Sequence, residues 1–469
     1  MTFHWLGILI LSIGVLFLSG PADATVLTVG PTDCSATAVN NAISSASDGD
    51  TVQLTCAGSV TWLETVSIPT TKGVTLSVSG GTNTPKGSPN FPLTVISSQT
   101  PAVRITVGPN NSLSRISGFK FQTPSGATTG DAGLIQATGQ GLGKTGVGSF
   151  RVDNNYLDNV SANAVITVFE SNPGGGLYGV LDNNTMHNAY SGNDIDNGPY
   201  GIQVWNRWHN EDDCWGADGW VDEQHPSANP FHFGDQNFVF IEDNLFENDN
   251  TSANSYVRHY VSAELGGRYV VRYNTFKVTV DSPAHNQTDM IDAHGFCLCA
   301  SNGKGSRGGE IYQNTITGID SMIGRPMLIR GGTWLIFGNT FDAIGSYGAP
   351  PYFMEYRAGD SDLYSQCSAT CPCTASWVPI CSDASHYPLP EQISGTYIWN
   401  NMYQGVNQTG TVDSAGVQSL YIQPGRDYFV SPNKPAALSS YVPYTYPHPL
   451  RGEAERGKRP SPPSDVRVQ

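Results

Sequence analysis

The sequence has little charge, and little of that charge is positive. Only 14% of its 469 residues are charged, and 24 Lys and Arg residues stand against 40 Asp and Glu residues, for a formal net charge of -16. Nucleic-acid binding needs basic surface to neutralise phosphates, so we exclude nucleic acid as a partner. An anionic sugar polymer could bind only through a local basic patch or bridging cations.

Long hydrophobic runs are also scarce. The apolar stretch 6–18 is too short for a comfortable membrane span, and Ala22-Asp23-Ala24 after it is an A-x-A cleavage site. Residues 1–24 are therefore predicted to be a signal peptide, with a secreted, periplasmic or cell-surface protein beginning near Thr25. No Lys or Arg precedes the apolar core, where only His4 stands, so an uncleaved anchor is the alternative. No other stretch could cross a membrane.

Helical periodicity is rare, whereas 52 glycines and 30 prolines suit short strands and tight turns. The exception is 35–47, where Val39, Ala42, Ile43 and Ala46 share one helical face and Ser35 suits the N-cap. A short amphipathic helix ahead of many strands is suited to cover the open end of a stacked core.

One unit recurs along the chain, with the pattern apolar-x-apolar-x-x-Asn-x-apolar. Its clearest copies, 265–276 and 330–341, share a Gly-Gly pair and the ending Asn-Thr-Phe, and looser copies are 150–157, 179–186, 239–246, 309–316 and 396–403. Most of the Asn residues are 25 to 40 residues apart, and two gaps span 60 and 62 residues. Periods in the twenties match a parallel β-helix, in which the long gaps are coils with a degraded motif or coils that carry large loops.

The recurring Asn has a structural explanation. A tight corner between two strands favours a residue that tolerates left-handed backbone geometry, as Asn does. On successive coils such side chains can bond to one another, while the apolar residue two places further on fills the core. We therefore assign these Asn residues to the scaffold and none of them to catalysis.

The cap helix, the Gly49-Asp50-Thr51-Val52 entry and the Asn-x-Phe coils together resemble the right-handed parallel β-helix superfamily of pectate lyases and pectinases. The resemblance covers most of 25–403. It implies an all-β, right-handed solenoid with an N-terminal capping helix, whose substrate lies along the outer face of one sheet, under loops. No catalytic signature of that superfamily matches residue for residue, so no catalytic residue is transferred.

The domain prediction follows from these features. Residues 25–423 form the β-helix, with insertion loops at about 191–229 and 358–390. Residues 424–451, rich in Pro and Tyr, form an extended segment that packs on the helix, and 452–469 form a disordered tail. The oligomeric state is not predicted.

Nine cysteines suit an oxidising destination. Cys34 and Cys56 flank the helical segment and could staple it. Six more lie in two loops: Cys297, Cys299, Cys367, Cys371, Cys373 and Cys381. The last four have a spacing that could bind zinc, but disulfides of undetermined connectivity suit an exported chain better. An odd count leaves at least one cysteine unpaired within the chain.

Candidate catalytic residues lie on the strands that precede the glycine turns. Because side chains alternate along a strand, Asp292 and His294 share a face. Stacking in register would place His294, Arg330 and Arg357 in one exterior column, with Asp292 and Glu355 in the neighbouring column and Glu264 one coil below.

Two reactions fit this set. In β-elimination from a uronic acid polymer, which we favour, Arg330 and Arg357 would hold the sugar carboxylate and His294 would take the proton. In hydrolysis, Asp292 would act with Glu264 or Glu355 as the carboxylate pair. The alternatives are a solvated ion-pair ladder and a non-catalytic protein that binds glycans along the same face.

Two further groups are candidates for substrate binding. Arg325, Lys304 and Arg307 lie beside these strands and could supply a basic patch, although loop charge is commonly just solvated. The segment 191–229 contains four tryptophans that could stack on sugar rings or form a small loop core: Trp205, Trp208, Trp215 and Trp220. Its grouped carboxylates are a calcium hypothesis that lacks EF-hand spacing. No other cofactor is predicted.

Overall fold

The computed structural model describes residues 24–83, 89–99, 101–109, 111–124, 132–139, 147–160, 164–170, 176–188, 200–205, 233–249, 259–263, 266–279, 288–295, 306, 308–319, 323–345, 347–355, 393–414, 419 and 422–452. The predicted signal peptide up to residue 23, the loop 358–390 and the tail from 453 onward lie outside these residues, as do all cysteines except Cys34 and Cys56. No helix within the described ranges is long and apolar enough to span a membrane.

The described residues form one α-helix and 33 strands. The helix is α1 (Ala36–Ser45), and in chain order the strands are β1 (Val26–Val29), β2 (Thr51–Leu54), β3 (Gly58–Trp62), β4 (Val66–Ile68), β5 (Thr75–Val78), β6 (Leu93–Ser97), β7 (Val103–Val107), β8 (Ser114–Ser117), β9 (Lys120–Gln122), β10 (Ile135–Gly139), β11 (Val147–Asp153), β12 (Tyr156–Asp158), β13 (Ala164–Glu170), β14 (Gly176–Asp182), β15 (Thr185–His187), β16 (Tyr200–Trp205), β17 (Val239–Glu242), β18 (Leu245–Asn248), β19 (His259–Ala263), β20 (Arg268–Arg272), β21 (Thr275–Val278), β22 (Thr288–Ala293), β23 (Gly308–Tyr312), β24 (Thr315–Gly318), β25 (Ile323–Ile329), β26 (Thr333–Phe337), β27 (Thr340–Phe341), β28 (Tyr352–Phe353), β29 (Thr396–Trp399), β30 (Met402–Tyr403), β31 (Val406–Asn407), β32 (Thr411–Val412) and β33 (Tyr428–Ser431). Two 3-10 turns follow, at Ala436–Leu438 and Pro449–Arg451.

These strands build a right-handed parallel β-helix, which confirms the predicted fold class. Sheet A has the order β1-β2-β5-β8-β11-β14-β17-β20-β23-β26-β29-β33, sheet B the order β3-β6-β9-β12-β15-β18-β21-β24-β27-β30-β31, and sheet C the order β4-β7-β10-β13-β16-β19-β22-β25-β28-β32. The pairs are parallel except β30 with β31. Each coil runs through sheets A, B and C in turn around an apolar core.

The capping helix is confirmed. Its N-cap is Ser35, whose Oγ accepts a hydrogen bond from the Ala38 N–H at 3.3 Å. Val39 and Ile43 are buried against the first coil. The predicted Cys34–Cys56 pair is also present as a disulfide, so the helix is tied covalently to the strand after it.

The recurring Asn residues form a continuous hydrogen-bonded ladder at the corner between sheets A and B. Each side-chain N–H and backbone N–H donates to the Oδ1 of the Asn on the next coil, for example from Asn274 to Asn314 at 3.0 and 3.1 Å. The rungs, all buried, are Asn155, Asn184, Asn244, Asn274, Asn314, Asn339 and Asn401. The predicted stacking is confirmed.

One detail of the corner differs from the prediction. The left-handed backbone belongs to the residue before each rung, such as Asn183 at φ 54°, Tyr273 at φ 59° and Gln313 at φ 56°. The Asn of the ladder therefore does not supply the left-handed conformation, and its amide can point into the corner. The residue that does supply it varies, since Asp243 and Gly338 both occupy the left-handed position.

The two long gaps in the repeat are single coils that carry large loops. Asn184 bonds directly to Asn244, and Asn339 to Asn401, so no coil lies between them. Residues 200–205, inside the predicted insertion 191–229, form β16 of sheet C, so that part of the insertion prediction is wrong. The alternation in Tyr-Gly-Ile-Gln-Val-Trp was a strand signal, because Ile202 and Val204 fill the core on either side of Gln203.

A C-terminal strap, residues 441–451, lies against the outer face of sheet A. The Arg272 guanidinium donates to the carbonyls of Tyr444 at 2.7 Å and Thr445 at 2.9 Å. From the strap, Arg451 pairs with Glu242 at 2.7 Å. Upstream of the strap, β33 closes sheet A, so the sheet extends to Ser431.

On the outer face of sheet B, His187 joins three coils. Its Nδ1 lies 3.0 Å from Asp158 Oδ1, and its Nε2 lies 3.1 Å from Asp249 Oδ1. Asn188 and Asp249 also exchange two hydrogen bonds, at 2.8 and 2.9 Å. Asp249 immediately follows β18, so this contact fixes where the chain leaves sheet B before it reaches β19 of sheet C.

We predict that Asn314→Ala lowers the free energy of unfolding by about 3 kcal/mol or more, because it leaves buried donors and acceptors on both neighbouring coils without hydrogen-bond partners. Asn401→Ala, at the last rung, removes fewer bonds and should cost clearly less. Guanidinium unfolding midpoints measure both variants. Equal and small effects would show that the ladder contributes little to stability.

We also predict a loss of stability as the pH rises through the neutral range. The hydrogen bond to Asp158 is the largest cause of the raised pKa of His187, which burial opposes and Asp249 reinforces. The stabilisation is complete below the unfolded pKa of about 6.5 and is lost as pH rises through the higher folded pKa. Melting temperatures of wild type should therefore fall between pH 6 and pH 9 more steeply than those of His187→Gln.

His448→Gln is the matched control for this measurement. Burial, with help from Arg272, Arg151 and Arg451, lowers the pKa of His448 to about 3. This imidazole is uncharged throughout pH 6–9, so its replacement should leave the wild-type slope unchanged. Parallel slopes for wild type and His187→Gln would contradict the assignment to His187.

Candidate functional site

The candidate site is a cluster of charged side chains on the outer face of sheet C. It arises from an irregularity in β22, where Met290 and Ile291 are consecutive and both lie in the apolar core. Their neighbours Asp289 and Asp292 therefore both lie on the outer side. The register between β22 and β25 also shifts at this point: Thr288 pairs with Ile323 and Asp289 with Arg325, so the extra residue, Gly324, belongs to β25. Such irregularities are frequent next to active sites.

Asp292 is held by a buried ion pair with Arg330. Arg330 Nε donates to Asp292 Oδ1 at 3.0 Å, and Nη2 donates to Oδ2 at 2.5 Å. Ser262, the partner of Asp292 on β19, donates from Oγ to Oδ2 at 3.2 Å. Asp292 is 0% and Arg330 3% exposed, so water does not screen this pair and the geometry of the carboxylate is fixed.

Asp289 forms a second ion pair of the same kind with Arg325. Arg325 donates from Nε to Asp289 Oδ1 at 2.8 Å and from Nη2 to Oδ2 at 3.2 Å. The guanidinium also lies 4.9 Å from the ring centre of Tyr347 and 5.6 Å from that of Tyr352. These rings shield the guanidinium group of Arg325 and fix the orientation of its plane.

His259 lies between the two carboxylates. Its Nδ1 is 3.7 Å from both Asp289 Oδ2 and Asp292 Oδ2, so these two oxygens are at most twice that distance apart. Tyr200, its partner on β16, stacks on the imidazole with ring centres 5.3 Å apart. One buried imidazole therefore lies within ion-pair distance of both acids.

His294 lies at the more accessible edge of the cluster and is partly exposed. Its Nδ1 is 2.5 Å from the Gly295 carbonyl oxygen, and its ring is edge-on to His259 with centres 6.2 Å apart. Since a carbonyl only accepts, Nδ1 carries the proton of the neutral imidazole, and Nε2 carries the lone pair. Nε2 is therefore the basic nitrogen.

Burial raises the pKa of both Asp289 and Asp292, and the facing guanidinium groups of Arg325 and Arg330 oppose that shift. Burial lowers the pKa of Arg325, but Asp289 outweighs this and the net shift is upward. Each acid therefore needs its arginine to stay ionised in a dry environment.

The register confirms some of the sequence predictions and corrects others. Asp292 and His294 do share the outer face, and Ala293 pairs with Ile329, which places Arg330 next to His294 across the strands. The alternative of a solvated ion-pair ladder does not hold for Asp292 and Arg330, because both are buried. Arg325, predicted as part of a basic loop patch, instead lies on β25 paired to Asp289.

Glu355 does not stand in the column of Asp292. Leu328, the partner of Asp292 on β25, pairs with Tyr352, three residues before Glu355. Glu355 is buried, and its Oε1 accepts the Ile393 N–H at 2.9 Å. The remaining predicted site residues lie outside the described residues: Glu264, Arg357, Lys304, Arg307, Trp208, Trp215 and Trp220.

Sequence reasoning missed His259 and Asp289. Strict alternation from Asp292 puts Asp289 on the inner face, but the break in alternation at Met290 and Ile291 turns it outward. The weak available signal was the repeated sequence of a polar residue followed by two apolar residues and a second polar residue, in His259-Tyr260-Val261-Ser262 and Asp289-Met290-Ile291-Asp292.

A row of polar side chains leads from the cluster along the helix axis, one per strand of sheet C. In register from β7 to β22 it contains Arg104, Gln136, Thr167, Gln203, Ser262 and Asp292. Beside it, Phe169 and Trp205 pair across β13 and β16 with rings 6.1 Å apart. The outer face thus offers hydrogen-bonding groups and aromatic rings next to the charged cluster.

A metal site of three or more His, Cys, Asp or Glu side chains is not found within the described ranges. The carboxylates behind the calcium hypothesis lie outside those ranges, so that hypothesis stays a prediction.

Comparisons with known proteins give little. No family model matches the chain, and no curated protein matches it. Among solved structures, the chain is similar to an alginate lyase from Paenibacillus sp. str. FPU-7, with 13% identity and a TM-score of 0.33, over 69% of this chain and 97% of the other. At these values the likeness transfers no residue and no activity, and the function has to be argued from the site.

We predict that Asp292→Ala and Arg330→Ala each destabilise the fold by about 3 to 5 kcal/mol, because each leaves a buried charge without its partner. The double variant should cost less than the two together, with a coupling energy of about 2 kcal/mol or more. The partly exposed Lys277–Glu247 pair is the control, with expected coupling below about 1 kcal/mol. Denaturant unfolding of both cycles measures this, and equal couplings would contradict the assigned burial.

Proposed function

We propose that this protein is an exported polysaccharide lyase that cleaves an acidic, uronic-acid-containing polysaccharide by β-elimination on the outer face of sheet C. The observation that carries the proposal is the cluster itself: two imidazoles and two guanidinium groups gathered with two fixed carboxylates beside a row of polar side chains. The disulfide between Cys34 and Cys56 supports export, because such bonds persist in oxidising compartments.

Elimination needs a base at C5 of the uronic acid, and His294 suits that role. Its Nδ1 is committed to the Gly295 carbonyl, so Nε2 is the nitrogen able to take a proton. In the step, Nε2 takes the C5 proton and the electron pair of the C5–H bond is held as an enolate of the sugar carboxylate. That pair then forms the C4=C5 double bond as the C4–O bond breaks, and the leaving oxygen takes a proton from water.

The site must also bind the substrate carboxylate and stabilise the negative charge that develops at C5. The two arginines and two aspartates balance formally, so these four groups add no net negative charge to a protein whose net charge is -16. A polyanion therefore meets no net repulsion from them. Arg330, next to His294, and Arg325 are the groups that would stabilise the developing negative charge.

Hydrolysis is the second candidate, since two carboxylates stand near each other on the same face. We rank hydrolysis lower because both carboxylate oxygens of Asp289 and of Asp292 accept hydrogen bonds from an arginine. A general acid or nucleophile must instead present an oxygen to the glycosidic bond. A non-catalytic glycan-binding protein is the third candidate.

We predict that wild type releases products absorbing in the ultraviolet from a uronic acid polymer, and that His294→Ala lowers kcat at least about 100-fold, the usual contribution of a general base. The assay screens alginate and polygalacturonate with and without Ca²⁺. His448→Gln, on the opposite side of the coil stack, is the histidine control and should keep wild-type activity.

Other outcomes separate the candidates. New reducing ends without ultraviolet absorbance would replace the lyase by a hydrolase. Polymer binding without any product would favour the binding protein. Full activity in folded His294→Ala would remove His294 from the proposed reaction.

A further inference from the structure

We infer that the site acts within the polymer chain rather than at its ends, because aromatic subsites flank the charged cluster on both sides along the helix axis. This inference rests on the proposed function and adds the mode of cleavage and two binding residues, Trp205 and Tyr347. The polymer would extend over β16, β19, β22, β25 and β28 of sheet C.

Trp205 marks the subsite on the side of β16. Val204 pairs with Ala263, and Ala263 with Ala293, so Trp205 stands in the same outer column as His294, two strands away. At strand spacings of about 4.8 Å, this places the indole about 10 Å from the proposed base. That distance leaves room for sugar units between the indole and the reacting bond.

The indole N–H of Trp205 is the observation that points to a ligand. It is buried, and no acceptor within the described structure lies within hydrogen-bonding distance of it, although the ring itself is partly exposed. A buried donor without an acceptor costs about 1 to 3 kcal/mol. A substrate hydroxyl or carboxylate oxygen would supply the acceptor, while the ring face packs on the sugar.

Tyr347 marks the subsite on the other side of the cluster. Its side chain is 39% exposed, and its ring lies against Arg325 and Tyr352. Among the exposed large apolar side chains of the described residues, it is the one that contacts Arg325. An exposed ring held over a guanidinium gives one flat apolar face and one charged neighbour, which suits a uronic acid ring with its carboxylate.

The positions of the two aromatic residues indicate the mode of cleavage. From β16 to β28 the sheet advances four strands, or about 19 Å, with His294 and Arg330 in the middle. A polymer held at both Trp205 and Tyr347 has sugars on both sides of the reacting bond. An enzyme that removes terminal units would need a closed subsite on one side, and the described residues provide an aromatic platform on each.

The test compares product sizes and substrate dependence on the uronic acid polymer that wild type degrades. Long oligomers and a rapid fall in viscosity at low conversion are expected. Trp205→Phe keeps the ring and removes only the N–H, so KM should rise about 3- to 10-fold, as expected for one hydrogen bond, with kcat near wild type. Tyr347→Ala should also raise KM, whereas Tyr347→Phe should not. Trp399→Phe, on the outer face of sheet A, is the matched control with unchanged KM.

Failure of this inference can be told apart from failure of the proposed function. Monomers or dimers as the first products, or an unchanged KM in both Trp205→Phe and Tyr347→Ala, would overturn it while the lyase stands. If wild type yields no product, alginate and polygalacturonate binding is titrated directly. Weaker binding in Trp205→Phe and Tyr347→Ala would then keep the two subsites, and binding equal to wild type would overturn them.

Discussion

The rest of the structure depends on the stacked asparagines between sheets A and B. Each Asn side chain donates hydrogen bonds to backbone carbonyls at its corner, and its Oδ1 accepts hydrogen bonds from the Asn of the coil below. One side chain per coil therefore sets the register of two sheets. Buried amides that failed to meet would leave polar groups unsatisfied. The ladder therefore acts on the whole coil, although each contact is local.

Because the ladder fixes one corner, the other corners are free to vary. Asn184 and Asn244 meet directly although 60 residues separate them, and the strands on either side remain in register. The two longest connections both leave sheet C, after β16 and after β28, and both lead to sheet A. The break in alternation at Met290 and Ile291 of β22 then places Asp289 outward beside Asp292, and this gathers the charges on which the proposed chemistry depends.

The sequence was sufficient for the features that repeat. Asn-x-Phe units predicted the coils, Ser35 with Val39 and Ile43 predicted the cap, and alternation placed Asp292 and His294 on one face. It was insufficient where the chain departs from its own period. The outward turn of Asp289, its position near His259, and the burial of Arg330 depend on a break in alternation and on coverage of that face. Neither leaves a periodic pattern in the sequence.

The C-terminal strap changes how this repeat protein holds together. In a solenoid each coil contacts only its neighbours, and unfolding can proceed inward from either end. The strap breaks that rule, since Tyr441 reaches Glu310 on β23 while Arg451 reaches Glu242 on β17 and Asp182 on β14. Coils far apart in the stack thus share one brace, and it follows all of the coils in the chain. The middle of the β-helix is therefore locked by a segment that is made after the last coil, and not by growth of the stack.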